Sequence, residues 1–115
     1  MADPIYKIAS EAEWDAALAA GELAGTAADL ADGYIHFSTA AQLSETLDKH
    51  YRGKSGLVLA IVDQDRLPQA LKWEPSRGGQ LFPHLYAPLP MSAVTAHRPL
   101  DARADGGFDL PEMVR

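Results

Sequence analysis

Apolar and polar side chains alternate in the stretch from Gly33 to Thr39. Alternation of this kind predicts a strand, because successive side chains point to opposite faces. The apolar positions Ile35 and Phe37 therefore mark the face that packs against a core. The opposite face presents polar side chains, namely Tyr34, His36 and Ser38.

Capping patterns mark the starts of two main helices. Ser10 with Glu13 predicts a helix that ends at Gly21 and buries one stripe of side chains. That stripe comprises Trp14, Ala17 and Leu18. Thr39 with Gln42 predicts a second helix, from Ala40 to about Tyr51. A single helical turn is expected near residues 26–30.

Residues 57–62 are continuously apolar and rich in branched side chains, which predicts a strand covered on both faces at the centre of a sheet. The other strands are expected at residues 5–8, 71–74, 81–86 and 94–100. Pro83 lacks an N–H and predicts an edge strand or irregular segment. Residues 101–115 contain four acids and two adjacent glycines, and are expected to form a loosely held tail.

These elements predict an α+β fold in a single domain, residues 1–115, with its core in residues 4–100. Alternation in residues 71–74 turns Leu71 and Trp73 inward and Lys72 and Glu74 outward. One core is expected from the apolar positions of neighbouring elements, which are Trp14, Ile35, Phe37, Leu43, Leu47, Leu59, Ile61 and Trp73.

Composition narrows the classes of function. Ten Lys and Arg against sixteen Asp and Glu give a net charge of −6, which disfavours nucleic acid as a partner. The absence of cysteine excludes disulfides and thiolate zinc sites. No apolar run approaches the ~20 residues that span a bilayer, and no secretory signal is visible. We therefore expect a cytoplasmic protein.

Polar side chains with chemical potential occur in three short extended segments. His36, Glu74 and His84 each lie close to an aromatic residue, and Tyr86 follows His84 by two positions. Such residues could converge in one cleft with apolar and aromatic walls. The helix expected after Thr39 would offer free N–H groups to an anion. The alternative is a set of solvated sheet residues and a core histidine.

Several phrases of the chain resemble the bacterial family called domain of unknown function 952 (DUF952). The resemblance covers roughly residues 4–100 and includes Trp14 upstream. It rests on Gly33 to Thr39 followed by Gln42-Leu43, then Lys72-Trp73-Glu74, then Phe82-Pro83-His84-Leu85-Tyr86.

The resemblance implies an ADP-ribosyltransferase-like fold, in which two small, mostly antiparallel sheets form a cleft for NAD. The segment from His36 to Thr39 is similar to the strand whose histidine contacts the ribose of NAD in those enzymes. They usually carry a glutamate on a late strand, but residues 94–100 contain none. Glu74 is then the best available acid.

Three functions remain open. The favoured one is binding of a nucleotide-like molecule such as NAD by six residues, Tyr34, His36, Ser38, Thr39, His84 and Tyr86. The second is an enzyme that transfers ADP-ribose or cleaves NAD, with His36 and Glu74 as catalytic residues. The third is a metal site formed by His36, Glu74 and His84, which suits zinc. No histidine pair has helical spacing, so we expect no bound metal.

Overall fold

The computed structural model describes residues 3–69, 71–76 and 79–111. This part of the chain contains three α-helices: α1 (Glu11–Ala20), α2 (Ala27–Asp32) and α3 (Ala40–His50). Each begins at a capping box, formed by Ser10, Thr26 and Thr39 with the residue three positions later. The predicted starts of α1 and α3 are confirmed, and the turn expected near residue 26 is a third helix.

The described residues also form nine strands: β1 (Ile5–Ser10), β2 (Glu22–Leu23), β3 (Ile35–His36), β4 (Leu57–Val62), β5 (Lys72–Pro75), β6 (Leu81–Leu85), β7 (Leu89–Pro90), β8 (Val94–Ala102) and β9 (Phe108–Asp109). All pairings are antiparallel. The α+β class is confirmed, with several antiparallel sheets.

The strands form three sheets rather than the expected two. The largest has the order β1-β4-β8-β9, a second has the order β3-β6-β5, and β2 pairs with β7. Two backbone hydrogen bonds between Tyr6 and Ser38, of 2.8 and 2.9 Å, join the edge of β1 to the chain that follows β3. These bonds bring the free edge of β1 next to the sheet that carries His36 and His84.

The predicted central strand is confirmed, because β4 lies between β1 and β8 and has both faces covered. Leu59 packs with Leu43 and Leu47 of α3 on one face. Val58 and Ala60 pack with Trp14 of α1 on the other. The sheet therefore divides the apolar side chains into separate clusters, and the expectation of one continuous core is wrong.

Two apolar side chains expected in the core are exposed. Trp73 is 42% exposed and Leu18 is 47% exposed. Trp73 lies on β5, the edge strand of its sheet, and so has a neighbouring strand on one side only. Leu18 lies beside the buried stripe of α1, which consists of Trp14 and Ala17. Periodicity predicted α1 and β5, but it did not predict which of their apolar side chains would be buried.

The prediction that Pro83 marks an edge or irregular segment is also wrong. Pro83 is buried in β6, the central strand of its sheet. Its carbonyl accepts a hydrogen bond of 3.1 Å from the Phe37 N–H. Because β3 ends at His36, the N–H that proline lacks falls where the ladder with β3 stops.

Residues 101–109 are not a loose tail. Strand β8 continues to Ala102 and pairs with β9. Phe108 is buried and packs in the same cluster as Leu47 and Leu100. The expected end of the core at residue 100 is therefore too early, while residues 112–115 of the predicted tail lie outside the described residues.

Candidate functional site

A cavity of about 900 Å³ lies where β1, α2, β3 and β6 approach one another. Four of the residues predicted from the sequence line it, namely Tyr34, His36, Ser38 and His84. The register of β3 on β6 places His36 directly opposite His84, so their side chains share a face of the sheet. Two segments separated by almost fifty residues thus meet at one wall.

Four rings form a cluster at this wall. The Tyr34 ring stacks on His84 with centroids 4.1 Å apart and an interplanar angle of 30°. Tyr34 also contacts the rings of His36 at 4.7 Å and Tyr86 at 5.2 Å. The two imidazoles are edge to face, with centroids 5.5 Å apart. Tyr34 is therefore the common neighbour of the cluster, although the sequence pattern singled out His36.

Glu74 links two rings of the cluster, His84 and Tyr86. Its Oε1 accepts hydrogen bonds from Nδ1 of His84 at 2.8 Å and from the hydroxyl of Tyr86 at 2.7 Å. The bond from His84 is the main cause that lowers the pKa of Glu74, and the bond from Tyr86 adds to it. The same carboxylate raises the pKa of Tyr86 to about 12. Glu74 fixes the buried His84 ring through Nδ1, which leaves Nε2 as the nitrogen available to a ligand.

The Glu74→Gln variant is expected to lower the pKa of Tyr86 from about 12 towards the ordinary tyrosine value of ~10. A neutral amide no longer disfavours the tyrosinate as a carboxylate does. The measurement is an NMR titration of the tyrosine ring carbons in both proteins. Tyr51, which directly follows α3, is the internal control, and its pKa should be the same in the wild type and the variant. An unchanged Tyr86 pKa would mean that the contact with Glu74 is not formed in solution.

His36 is held at both ring nitrogens by carboxylates. Nδ1 lies 2.6 Å from Oδ1 of Asp29, and Nε2 lies 2.9 Å from Oδ2 of Asp32. The backbone N–H of His36 also donates to Asp29 at 3.0 Å. The His36 ring and backbone are thereby attached to α2, the helix that precedes it.

A buried ion pair lies behind His36. The ammonium of Lys7 is 2.8 Å from Oδ2 of Asp29 and donates to the His36 carbonyl at 2.9 Å. Lys7 is 3% exposed and Asp29 is 2% exposed. Burial alone would raise the pKa of Asp29, but the bonds from His36 and Lys7 outweigh it and hold the pKa well below its usual range. Burial lowers the pKa of Lys7, and the Asp29 carboxylate opposes that shift.

Residues 8–97 match a protein-family model described as "Protein of unknown function (DUF952)". The chain belongs to this family. The matched range includes Asp29, His36, His84 and Tyr86, and it begins one residue after Lys7.

Solved structures with a similar fold come from protein CC0527 of Caulobacter crescentus. Its crystal structure has a TM-score of 0.87 and 54% sequence identity, and the match covers 92% of this chain and 93% of that one. Its solution NMR structure has a TM-score of 0.80 and 55% identity over 90% of each chain. A search of curated proteins found no match.

Lys7 and Asp29 of the DUF952 chain support His36, and the sequence pattern did not predict either residue as part of the site. Lys7 is the one charged residue of β1 and lies between Tyr6 and Ile8, a position that indicates a buried cation. Asp29 is three residues after Thr26 and completes the capping box of α2, with its Oδ2 accepting from the Thr26 N–H at 2.8 Å. The spacing of Thr26 and Asp29 is the local signal that marks Asp29, whereas its pairing with Lys7 depends on the fold.

Three other predicted site residues of the DUF952 chain do not line the cavity. Thr39, Glu74 and Tyr86 are not among the described residues that line it. Thr39 caps α3, and its capping box with Gln42 engages the N–H groups of these two residues. Ser38 lines the cavity but is buried, with its hydroxyl 3.1 Å from that of Thr46.

The structure describes residues 3–69, 71–76 and 79–111 of the DUF952 chain. These residues contain no group of three or more His, Cys, Asp or Glu placed to hold a metal ion. His36, Glu74 and His84 are thus near one another without forming such a group. Among the helices described, none is long and apolar enough to cross a membrane.

Proposed function

We propose that this DUF952 protein binds a nucleotide-like small molecule, NAD or a compound of similar chemistry, in the cavity beside His36. The proposal includes an ADP-ribosyltransferase-like arrangement of the cleft. The observation that carries it is the stack of Tyr34 on His84, with His36 beside it, on the cavity wall. Planar rings held in fixed positions suit the face of a base or a nicotinamide.

Size and polarity are consistent with such a ligand. A volume of about 900 Å³ lies within the usual range of roughly 300–1,000 Å³ for small-molecule sites. Ser10, Ser38 and Ser55 add hydroxyl groups to the cavity wall. Lys54, also on that wall, supplies a cation for a phosphate. In this arrangement the imidazoles contact the hydroxyl groups of the ribose next to the stacked base or nicotinamide.

The charges around Tyr34 favour the cationic form of a nicotinamide ring. The pKa of Tyr34 is raised, first by desolvation and then by the carboxylates of Asp32 and Glu74. The same negative charges that disfavour a tyrosinate attract a positively charged ring stacked on Tyr34. A neutral reduced nicotinamide gains no such attraction.

Catalysis is the second candidate function, with His36 and Glu74 as the catalytic residues of ADP-ribosyl transfer or NAD cleavage. A carboxylate that stabilises a cationic transition state must be directed at the part of the substrate where the charge develops. The carboxylate of Glu74 is instead engaged by His84 and Tyr86, and within the described chain Glu74 does not line the cavity. Binding is therefore the stronger proposal, and catalysis awaits an assay of NAD consumption.

The test of binding is an NMR titration of isotopically labelled protein with NAD and with ADP-ribose. We expect shifts clustered on residues 34–40 and 82–86, and their loss in the His36→Ala variant. His97→Ala is the matched control, because His97 is an exposed histidine of β8 that does not line the cavity. Shifts scattered over the surface, or equal in the two variants, would contradict the proposal.

A further inference from the structure

The two carboxylates that hold His36 differ in their surroundings. Asp29 is 2% exposed and is fixed by Lys7, by the Thr26 N–H and by the His36 backbone. Asp32 is 53% exposed, and the contact with His36 is its single ion pair among the described residues. One partner of the ring is thus buried and held by several contacts, and the other is half exposed to solvent.

The exposed carboxylate of Asp32 contacts Nε2, the ring nitrogen that Asp29 does not engage. Nδ1 of His36 is directed at the buried Asp29, so a ligand in the cavity can approach the ring through Nε2. Asp32 lies 2.9 Å from Nε2 and itself lines the cavity. A ligand that accepts a hydrogen bond from His36 therefore competes with Asp32 for the same proton.

Helix energetics give Asp32 no role of its own at this position. It is the last residue of α2, where a negative charge opposes the helix dipole. It makes no cap, since the N–H of Gly33 closes the helix on the Asp29 carbonyl. The contact with His36 is therefore the favourable interaction that offsets this unfavourable position of Asp32.

We propose that Asp32 is a displaceable internal ligand of His36, which closes the site until an oxygen acceptor of the incoming molecule replaces it at Nε2. The proposal rests on the function proposed above, because it assumes that the ligand contacts His36. Lys7 and Asp29 keep the imidazole in place while Asp32 leaves. The class of ligand admitted is one that presents a hydroxyl or phosphate oxygen at Nε2 and compensates for the displaced charge.

The first measurement needs no ligand. Long-range ¹H–¹⁵N spectra of the imidazole ring are recorded for the wild type, Asp32→Ala and Asp32→Asn. We expect the Nε2 resonance of His36 to move in Asp32→Ala while the Nδ1 resonance stays, because Asp29 remains in contact. An unchanged Nε2 resonance would overturn the proposal before any binding is measured.

The second measurement compares affinity for ADP-ribose. Removing an exposed competing carboxylate is expected to tighten binding by about fivefold in Asp32→Ala, the scale of one exposed charged contact. Asp32→Asn keeps an acceptor near Nε2 without the charge, so an intermediate gain is expected. Thermal unfolding verifies that each variant is folded.

The control separates displacement from general electrostatics. Glu13 also lines the cavity; glutamine keeps the capping-box contact with the Ser10 N–H and gives up the exposed contact of Oε2 with the Ala27 N–H. Glu13→Gln removes one negative charge from the cavity without altering the contacts of His36, and should leave the affinity within about twofold of the wild type. An equal gain in Glu13→Gln and Asp32→Ala would overturn the proposal and leave the binding function standing. Absence of binding in every variant would overturn both.

Discussion

Replacing Asp29 with alanine is expected to lower the free energy of unfolding by about 3–5 kcal/mol, because the ammonium of Lys7 then stays buried without its counter-charge. The same substitution removes the partner of His36 Nδ1 and the cap of the Thr26 N–H. The measurement is chemical denaturation followed by tryptophan fluorescence.

Two controls define the cause of that loss. Asp48→Ala breaks the exposed ion pair with Arg52 and should cost less than about 1 kcal/mol. The double variant Lys7→Met with Asp29→Leu removes both charges and should recover the part of the loss that comes from the unpaired Lys7, while the part from the Thr26 and His36 contacts of Asp29 remains. A cost for Asp29→Ala as small as that for Asp48→Ala would mean that the buried pair is absent in solution.

The pH dependence of stability follows from the same pair. The pKa of Asp29 is lower in the folded protein than the ordinary value of ~3.9 for an unfolded chain. Its contribution is therefore present above about pH 4 and is lost as the pH falls through the folded pKa. The difference in stability between the wild type and Asp29→Asn should be constant near neutrality and shrink in acid.

Replacing Phe37 with alanine is expected to cost about 3–5 kcal/mol, the range found for a buried phenylalanine. Phe37 is 3% exposed and packs with Ile5, Ile35 and Leu85. Denaturant midpoints and slopes of the wild type and the variant give the difference. A loss below about 1 kcal/mol would show that the two faces of this strand are reversed in solution.

Trp73→Ala is the matched control for that prediction. The sequence pattern assigned Phe37 and Trp73 to the same core, whereas the fold buries Phe37 and leaves Trp73 42% exposed. The loss for Trp73→Ala should therefore stay near 1 kcal/mol. Equal losses for the two aromatic residues would support the sequence pattern over the observed exposure.

Local signals in the sequence determined much of the fold. The capping boxes at Ser10 and Thr39 fixed the starts of α1 and α3, because each uses contacts within four residues. The apolar run of β4 predicted a strand covered on both faces. Alternation in residues 34–38 placed Tyr34 and His36 on the face opposite Ile35 and Phe37, and the convergence of His36 with His84 follows once β3 pairs with β6.

The tertiary structure alone decided which segments are neighbours. The position of Pro83 in a central strand depends on where β3 ends, and the exposure of Trp73 depends on β5 lying at an edge. The burial of Phe108 requires β9 to return onto β8. Each of these outcomes is set by strand order and register, which arise from contacts between residues far apart in the chain and leave no periodic trace within any one segment.

The site is divided in the same way. The sequence by itself identified the rings and the acid that meet around Tyr34, because polar groups opposite an apolar face are visible in a pattern of alternation. It did not identify Lys7 and Asp29 as partners, since their attraction acts across 22 positions of the chain and becomes strong only when both are removed from water. The packing of α2 against β1 and β3 decided the partners of the two His36 nitrogens. Nδ1 faces the buried Asp29, and Nε2 faces the exposed Asp32.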